Sequence, residues 1–543
     1  MDTDIILKEV GNFGKYQIYI FFLLLLCGIY TTFFSISFVF TAGDLDYRCY
    51  IEQCDNKTQL DKDIWLHYAV PFRNDRPEKC HRFQPINTTF IEENILESCT
   101  ATLFSRNNTE KCNHFIYNTD ETTIVTDFNL QCEENDWKRA AVGTANNVGQ
   151  FIGMPLSGII SDRYGRKTML TMAIMLSVIM GLCRSYAHTY EVFVLFEMLD
   201  AIVSSGTYGA CFILGIEILA PKRRVLGSSI IASFYTMGEV VLGLLAWYLR
   251  DWRIYLRALY APGILFVFYI WLVPESIRWL IANKKCFEAR KIVEKISYVN
   301  KKPLTQELKK QLDHLVEDTN NKKLNKRRPS LIEKHKGVFK EIITSKIMVI
   351  RTSICSFSWM TNAFVFYGLS LSSVSVAGNK YFNFILVSLA ELPGYALTWI
   401  VLDRFGRRMS LFLALAISGI SCLAFYFVPA ELSSMRLIIF LIGKCAITVS
   451  FSVLYLFSSE IFPTKARHSL MGTCSMFGRV GSMMAPLTPL VASYIEPSLI
   501  FGIAALTAGF LGLHFPETLH QPLPDTIQEA EVIGKKRKDD YDP

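Results

Sequence analysis

Gly158-Ile-Ile-Ser-Asp-Arg-Tyr-Gly-Arg-Lys167 is a short polar stretch that separates two long apolar runs. A related stretch, Asp403-Arg-Phe-Gly-Arg-Arg408, also separates two apolar runs, and its aspartate lies 241 residues after Asp162. A polar turn that recurs at such a distance indicates a duplicated chain, with one copy of the turn in each half.

Two further pairs of motifs support the duplication. Glu217, with an arginine seven residues later, returns as Glu460 with an arginine at the same spacing, at an offset of 243. Pro274-Glu-Ser276 returns as Pro516-Glu-Thr518, at an offset of 242. Three different polar motifs that recur at so similar a distance, all on one side of the apolar runs, predict two halves related by an axis along the membrane normal.

The composition is that of a membrane protein. Of the 543 residues, 51% are hydrophobic and only 19% are charged. Many apolar runs of about 18 residues or more carry few or no charges, which is typical of transmembrane helices. The first run, Tyr16–Phe40, is too long for a signal peptide and does not end in a small-residue cleavage pattern, so we expect it to be retained.

The apolar runs predict an all-α membrane protein with twelve spans in two six-helix halves. The spans are Tyr16–Phe40, Ala140–Ile160, Thr168–Ala187, Val192–Leu219, Leu226–Leu249, Leu256–Val273, Ile347–Leu371, Tyr381–Leu402, Met409–Val428, Met435–Phe457, Ser469–Tyr494 and Leu499–Phe515. The predicted segments are the N-terminus with span 1 (1–41), an outer loop (42–138), spans 2–6 (139–273), a central loop (274–345), the second half (346–515) and a polar, disordered tail (516–543). Phe287–Val299 and Leu304–Val316 are predicted to form short surface helices in the central loop.

The charges of the two long loops predict the orientation. Residues 42–137 contain 18 Asp/Glu and 9 Lys/Arg, whereas residues 284–340 contain 17 Lys/Arg and 7 Asp/Glu. Because cationic loops stay in the cytoplasm, the first loop is predicted to be extracellular and the central loop and both termini cytoplasmic. The basic loop faces anionic lipid in this arrangement, and nucleic acid is not expected as a partner.

The outer loop carries the marks of an extracellular domain. Six of the 14 cysteines fall in it, which predicts three disulfides of undetermined pairing: Cys49, Cys54, Cys80, Cys99, Cys112 and Cys132. The three Asn-x-Ser/Thr sequons of the chain are confined to it, at Asn56, Asn87 and Asn107. We therefore expect a glycosylated, disulfide-bearing loop.

Ionisable residues inside the spans are candidates for a binding site, because a charge at membrane depth is costly. Glu391 and Arg479 are the first candidates, followed by Glu239 and Lys444. The alternative for each is an ion pair that only holds helices together. For Glu197 and Asp200, near the start of a span, we favour that structural interpretation.

The repeated turns are candidates for a charge latch on the cytoplasmic side. Gly158 would let a neighbouring helix approach closely, and Gly165 would permit the turn. Arg163, Arg166 and Lys167 can pair with acids such as Glu275 or Glu460, in contacts worth about 1 kcal/mol each that could break on opening. The alternative is that these cations only fix the topology. The predicted gate residues are Gly158, Asp162, Arg163, Arg166, Glu217, Arg224, Glu275, Arg278, Asp403, Arg404, Arg407, Glu460 and Arg467.

These motifs resemble those of the major facilitator superfamily, and within it the organic ion transporter family of solute carriers. The similarity rests on Asp162-Arg-Tyr-Gly-Arg-Lys167, Pro274-Glu-Ser-Ile-Arg-Trp-Leu280, Glu460-Ile-Phe-Pro-Thr-Lys-Ala-Arg467 and the long cysteine-rich loop. It implies that the acid at Glu391 takes part in recognising cations. It also implies that a base at the position of Arg479 is typical of anion and zwitterion transporters. The same resemblance makes Tyr208, Phe212, Phe366 and Tyr367 candidates for lining the substrate pocket, and Asn146 is a weaker polar candidate.

The sequence predicts a plasma-membrane transporter that is neither an enzyme nor a pump. Signatures of hydrolases, metalloproteases and phosphate-binding loops are absent from the sequence, and no cofactor or metal is expected. Glu391 could pair an ammonium and Arg479 a carboxylate, which suits a carnitine-like zwitterion. Alternatively, Glu391 neutralises Arg479 and aromatic rings hold a plain cation. We expect alternating access by rocking of residues 1–283 against 346–515. An organic anion exchanger and a substrate sensor without transport are the competing hypotheses, and the sequence leaves a coupling ion open.

Overall fold

The structure, a computed structural model, describes residues 6, 9, 14–55, 62–73, 76–86, 101–219, 223–321, 344–376, 378–429, 431–463, 466–492, 494–519, 521, 524 and 526–533. The predicted sequons Asn56 and Asn87 and the cysteine Cys99 lie outside these residues. The chain forms two compact units. The loop unit consists of Phe40–Arg139 with Arg250–Trp252, and the helical unit contains the rest.

The first half of the helical unit is built from consecutive helices. They are α1 (Lys15–Ile36), α2 (Asp136–Tyr164), α3 (Arg166–Ser185), α4 (Tyr190–Ser204), α5 (Thr207–Glu217), α6 (Arg224–Leu249), α7 (Trp252–Tyr260) and, after the 3₁₀ segment Ala261–Phe268, α8 (Tyr269–Leu272). The central segment follows with α9 (Ile277–Ala282), α10 (Cys286–Asn300) and α11 (Gln306–Asn321).

The second half repeats the pattern. Its helices are α12 (Lys346–Ser372), α13 (Lys380–Leu389), α14 (Glu391–Phe427, bent at Gly406), α15 (Ser433–Ile461), α16 (Arg467–Met484), α17 (Thr488–Val491) and α18 (Pro497–Gly512), and α19 (Ile527–Val532) follows in the tail. Short polar side chains begin several of them. Ser345 accepts a hydrogen bond from Met348 N, and Asn379 accepts bonds from Tyr381 N and Phe382 N, which is how such residues satisfy the free amides of a first turn.

Nine helices in the described part of the chain are long and apolar enough to cross a membrane. They are Lys15–Thr41, Arg166–Ser185, Tyr190–Glu217, Leu226–Leu249, Trp252–Leu272, Lys346–Ser375, Lys380–Leu402, Arg404–Phe427 and Ser433–Ile461, and Pro497–Gly512 is a shorter apolar helix. The predicted second span lies within α2, and the predicted eleventh span begins in α16 and continues through the 3₁₀ segment Ala485–Leu487 and α17. The lower hydropathy of α2 and α16 reflects their polar residues.

Close packing of α2 against α4 depends on two glycines. A Cβ at Gly153 would lie 2.1 Å from Ile202 O, and one at Gly149 would lie 2.6 Å from Met198 O, so neither position has room for a side chain. Gly158, for which the approach of a neighbouring helix was predicted, has no such neighbour in this conformation. A Cβ at Gly158 would meet no atom within 4 Å, because this glycine lies on a different face of α2 from Gly149 and Gly153.

The loop unit contains three two-stranded antiparallel sheets. Strand β1 (Tyr47–Cys49) pairs with β6 (Phe115–Tyr117), β2 (Phe72–Arg73) with β3 (Arg76–Pro77), and β4 (His81–Pro85) with β5 (Phe104–Lys111). Disulfides join Cys49 to Cys112 and Cys80 to Cys132, and Cys54 is also disulfide-bonded. Arg48 forms a buried ion pair with Asp55, and the predicted sequon Asn107 lies on β5.

Helices form in both the central segment and the tail, although the sequence analysis predicted them only in the central segment. The two predicted surface helices are confirmed as α10 and α11. The tail was predicted to be disordered, but it contains α19, whose Ala530 is fully buried and accepts a hydrogen bond from the Arg351 guanidinium. Apolar contacts of Ala530 and Ile527 with the second half hold this short helix in place.

Candidate functional site

A buried ion pair lies at the interface of the two halves. Glu391 Oε1 is 2.8 Å from Lys444 Nζ, and both side chains are fully buried. The other carboxylate oxygen, Glu391 Oε2, accepts a 2.8 Å hydrogen bond from Thr236 of the first half. The prediction that Glu391 could neutralise Arg479 is therefore wrong, since Lys444 on α15 is its partner.

Glu239 adds a second carboxylate to this pair. It lies one turn after Thr236 on α6, is 1% exposed, and has Glu391, Lys444 and Ser388 as its neighbours. The cluster thus contains two acids and one base. Because Lys444 can neutralise only one of them, the cluster has one carboxylate in excess.

Lys444 is held rigidly. Its ammonium donates 2.7 Å and 3.3 Å hydrogen bonds to Ser370 Oγ and Phe366 O, and it lies 3.3 Å from the centroid of the Phe366 ring. This predicted pocket aromatic therefore already contacts a cation within the protein. Because ring faces attract cations, this contact helps to stabilise the buried ammonium of Lys444.

Arg479 forms a separate contact between the halves. Its guanidinium donates a 2.7 Å hydrogen bond to Gln150 Oε1 on α2. Gln150 donates in turn to Asn146 Oδ1, and Asn146 donates to Glu197 and to Phe34 O. Asn146 is fully buried, so in this conformation it orients Gln150 and lies behind the residues that face the interface.

Tyrosines from both halves converge between the two charged groups. Tyr208 stacks on Phe212, and its ring centroid lies 5.7 Å from that of Tyr235. Across the interface, the side chains of Tyr455 and Tyr367 lie near Tyr208. In the same way, Tyr235 lies near Tyr367, Tyr395 near Tyr208 and Glu391, and Tyr455 near Arg479. Helical spacing on α6 and α14 could have suggested Tyr235 and Tyr395, but the sequence analysis missed them.

At the repeated turn of the first half, a carboxylate closes the start of a helix. Gly165 has φ +105°, and Glu275 Oε1 accepts hydrogen bonds from Arg166 N and Lys167 N at 2.9 and 3.2 Å. Trp279 of the same motif donates to Asp162 O. The carboxylate thus satisfies free amides at the positive end of α3, where an anion is stabilised.

The second half has the equivalent arrangement. Gly406 has φ +77°, and Glu517 accepts from Arg407 N and Arg408 N at 2.8 and 3.0 Å. Arg407 also pairs with Glu460, to which Thr518 donates a 2.5 Å hydrogen bond. In the first half, Ser276 likewise donates to Glu217. The paired motifs therefore occupy equivalent places.

The other predicted gate residues lie around these two turns. Arg166 forms a 3.0 Å pair with the exposed Asp162, Arg163 lies over the Tyr164 ring, and Arg467 donates to Phe462 O. Arg224 begins α6, Arg278 lies on α9, and Asp403 and Arg404 lie on α14. Each hydrogen bond and ion pair named here joins residues of one half, rather than linking the halves as a latch would.

Further contacts between the halves lie at the end of the helices remote from these turns. A Cβ at Gly143 would lie 2.8 Å from Pro486 Cγ, and Thr144 donates to Met483 O. A Cβ at Gly243 would lie 2.9 Å from Ile385 Cγ1, and Trp247 stacks on Tyr381. We call this the far end, and the opposite end, with the two turns, the turn end.

No group of three or more His, Cys, Asp or Glu side chains in the described residues is arranged to hold a metal ion.

Comparisons with known proteins identify the family of this chain. Residues 106–529 match the family described as sugar (and other) transporter. The organic cation transporter protein of Drosophila melanogaster is 31% identical over 99% of this chain and 96% of its own length. The organic cation/carnitine transporter 2 of Mus musculus is also 31% identical, over 99% of this chain and 95% of its own length.

A solved structure shares the fold. The xylose transporter XylE from E. coli, in a partially occluded inward-open conformation, has a TM-score of 0.58 and 16% identity, covering 94% of this chain and 100% of that one. The predicted resemblance is confirmed. The chain belongs to the sugar (and other) transporter family of the major facilitator superfamily, and within it to the organic cation and carnitine transporter group of solute carriers, so it is a membrane transporter and not an enzyme.

Proposed function

We propose that this protein carries small organic cations or carnitine-like zwitterions across the plasma membrane by alternating access. The observation that carries the proposal is the cluster of two carboxylates and one ammonium between the halves. A buried excess carboxylate is costly unless a cation or a proton neutralises it. A substrate ammonium can supply that charge, and the names of the relatives fit such a substrate.

Tyrosines make the same site suitable for quaternary and protonated amines. Tyr235 and Tyr395 lie next to the acids, and Tyr208 lies against Tyr235. All three offer ring faces and hydroxyls. Phe212 and Tyr367 extend this aromatic wall. An organic cation between them would gain cation–π attraction together with the electrostatic attraction of the carboxylates.

Arg479 extends the proposal to zwitterions. Its guanidinium is partly exposed, and Gln150 accepts one of its five N–H donors. The remaining donors can bind a substrate carboxylate in a bidentate manner. A zwitterion would then place its ammonium at Glu239 and Glu391 and its carboxylate at Arg479.

The proposed topology has twelve spans, with α2 and α16 counted among them. The loop unit would be extracellular, stabilised by its disulfides and glycosylated at Asn107, with the sequons Asn56 and Asn87 as further sites. The turn end and both termini would be cytoplasmic. The turns would act as gate elements that keep their own half rigid while the two halves rock.

The test is uptake into proteoliposomes of labelled tetraethylammonium, a permanent cation, and of labelled L-carnitine. We expect the wild type to take up both, and Glu239→Gln to lose about tenfold or more of tetraethylammonium uptake because the excess charge is gone. Arg479→Gln should lose carnitine uptake selectively. Glu294→Gln, a change at an exposed carboxylate of α10, is the matched control and should behave as wild type.

The alternatives predict other results. An organic anion exchanger, which Arg479 favours, would take up a labelled dicarboxylate and neither ammonium compound. A sensor would bind the substrates without saturable uptake. Either result would overturn the proposal.

A further inference from the structure

A second charged cluster lies within the first half, away from the proposed substrate site. Arg184 on α3 pairs with Glu197 on α4, and its Nη1 is 4.0 Å from Asp200 Oδ2. All three side chains are completely buried. The sequence analysis regarded Glu197 and Asp200 as structural and did not identify Arg184.

The charges of this cluster do not balance. Arg184 contacts Glu197 directly, and Asn146 donates a 2.7 Å hydrogen bond to the same carboxylate. The negative charge of Asp200 is stabilised by fewer contacts than that of Glu197. Tyr260 donates a 2.5 Å bond to its Oδ2, whereas Oδ1 has only the nearby Ser177 hydroxyl and no hydrogen bond of normal geometry in the described structure. One guanidinium cannot neutralise two buried carboxylates, and an uncompensated charge at membrane depth is strongly unfavourable.

A chain of hydrogen bonds joins this cluster to the other half. It runs from Arg184 to Glu197, Asn146 and Gln150, and ends at Arg479. The last link crosses the interface, so it must break or rearrange when the halves move. If Arg184 shifts its contacts from Glu197 toward Asp200, these hydrogen bonds therefore transmit the change to Arg479 of the proposed substrate site.

We propose that Asp200 is a proton-binding site and that its occupancy controls the contact between Gln150 and Arg479. When Asp200 is protonated, Arg184 pairs with Glu197 alone, and the hydrogen bonds from Glu197 to Arg479 form as observed. Without it, Asp200 draws Arg184 away from Glu197 and disturbs Asn146 and Gln150. The transport rate is therefore higher at low pH, where Asp200 is protonated, than at high pH.

The charged and titratable neighbours of Asp200 come from three helices. Arg184 lies on α3, Glu197 on α4 itself, and Tyr260 on α7, where Tyr255 also interacts with Arg184. Ser37, directly after the end of α1, contributes only a hydroxyl that accepts a hydrogen bond from Arg184. Asp200 has the fewest compensating contacts of the two acids, which makes it the proton acceptor.

The first test measures tetraethylammonium uptake between pH 5.5 and 8.5, and it rests on the proposed function. The substrate charge is constant, so any pH dependence belongs to the protein. Wild-type uptake should fall above a midpoint, by up to about tenfold per pH unit for one titrating group. Asp200→Asn, which mimics the protonated acid, should transport with a flat profile. A flat wild-type profile, or an unchanged profile in the variant, would overturn the proposal.

The second test does not need transport. Infrared difference spectra of the purified protein between low and high pH should contain the carbonyl band of a protonated carboxylic acid, and that band should be missing in Asp200→Asn. If the variant does not fold, Tyr260→Phe replaces it, because the loss of the donated hydrogen bond should move the titration midpoint to higher pH. An unchanged band or midpoint contradicts the proposal, and absent uptake with the expected spectra would refute only the proposed function.

Discussion

Lys444 shows how a single residue sets the electrostatics of the proposed substrate site. It is the one base of the cluster, and Ser370, Phe366 and Glu391 fix its ammonium from three directions. Its position in an apolar span marks it as unusual in the sequence. The choice of Glu391 as its partner could not be read there, because it depends on how α14 and α15 are rotated against each other.

A double-mutant cycle tests this arrangement. Lys444→Met leaves two buried carboxylates without their cation and should destabilise the protein by about 3–5 kcal/mol. Adding Glu391→Gln removes one of the stranded charges and should recover about 1–3 kcal/mol of that loss. Thermal unfolding in detergent compares the four proteins. Strictly additive effects of the two substitutions would contradict the direct pair.

At the scale of helices, the repeated turns share one device. A glycine with positive φ precedes α3 in the first half and interrupts α14 in the second, and a carboxylate from a Pro-Glu motif accepts the next two amides in each case. The spacing of Gly165 and Gly406 relative to Glu275 and Glu517 is what the duplicated motifs predict. Here the sequence allowed the paired positions to be found, although it suggested a latch between halves rather than a cap within each.

Gly165→Ala tests the cap, with Gly158→Ala as the matched control. The first change forces a Cβ to 2.1 Å from Glu275 Oε2 at φ +105° and should cost about 1–3 kcal/mol. Gly158 lies inside α2 with no atom within 4 Å of the added carbon, so alanine there should be neutral or stabilise by up to about 1 kcal/mol. The apparent melting temperatures of the two variants and the wild type measure these effects. Equal values for the two variants would show that the turn tolerates a side chain.

The limits of the sequence analysis have a common physical cause. Motifs with a fixed local geometry, such as the turns, predicted their own neighbours. Partners between helices were missed: Arg184 for Glu197, Gln150 for Arg479 and Lys444 for Glu391. These pairs depend on helix rotation and depth, which the pattern of apolar residues leaves open because nearly every position of a span is apolar.

For the whole helical unit, the separation of α2 and α16 defines the conformation. At the far end they touch, through Gly143 with Pro486 and Thr144 with Met483. Midway, Gln150 binds Arg479. At the turn end, Gly158 of α2 and Gly472 of α16 have no neighbour within 4 Å of an added Cβ. The two helices thus diverge toward the turn end, as expected of a carrier open on that side.

Gly158→Trp tests whether this gap closes during transport. Helical spacing places Gly158 on the face of α2 that carries Gly143 and Thr144, the face that meets α16 at the far end. A tryptophan there should fill the gap and hold the turn end open. We expect labelled tetraethylammonium to bind the purified variant within about threefold of wild-type affinity, while uptake into proteoliposomes falls about tenfold or more because the carrier cannot complete its cycle. Gly158→Ala should retain uptake. Normal uptake by Gly158→Trp would mean that α2 and α16 do not approach each other at the turn end.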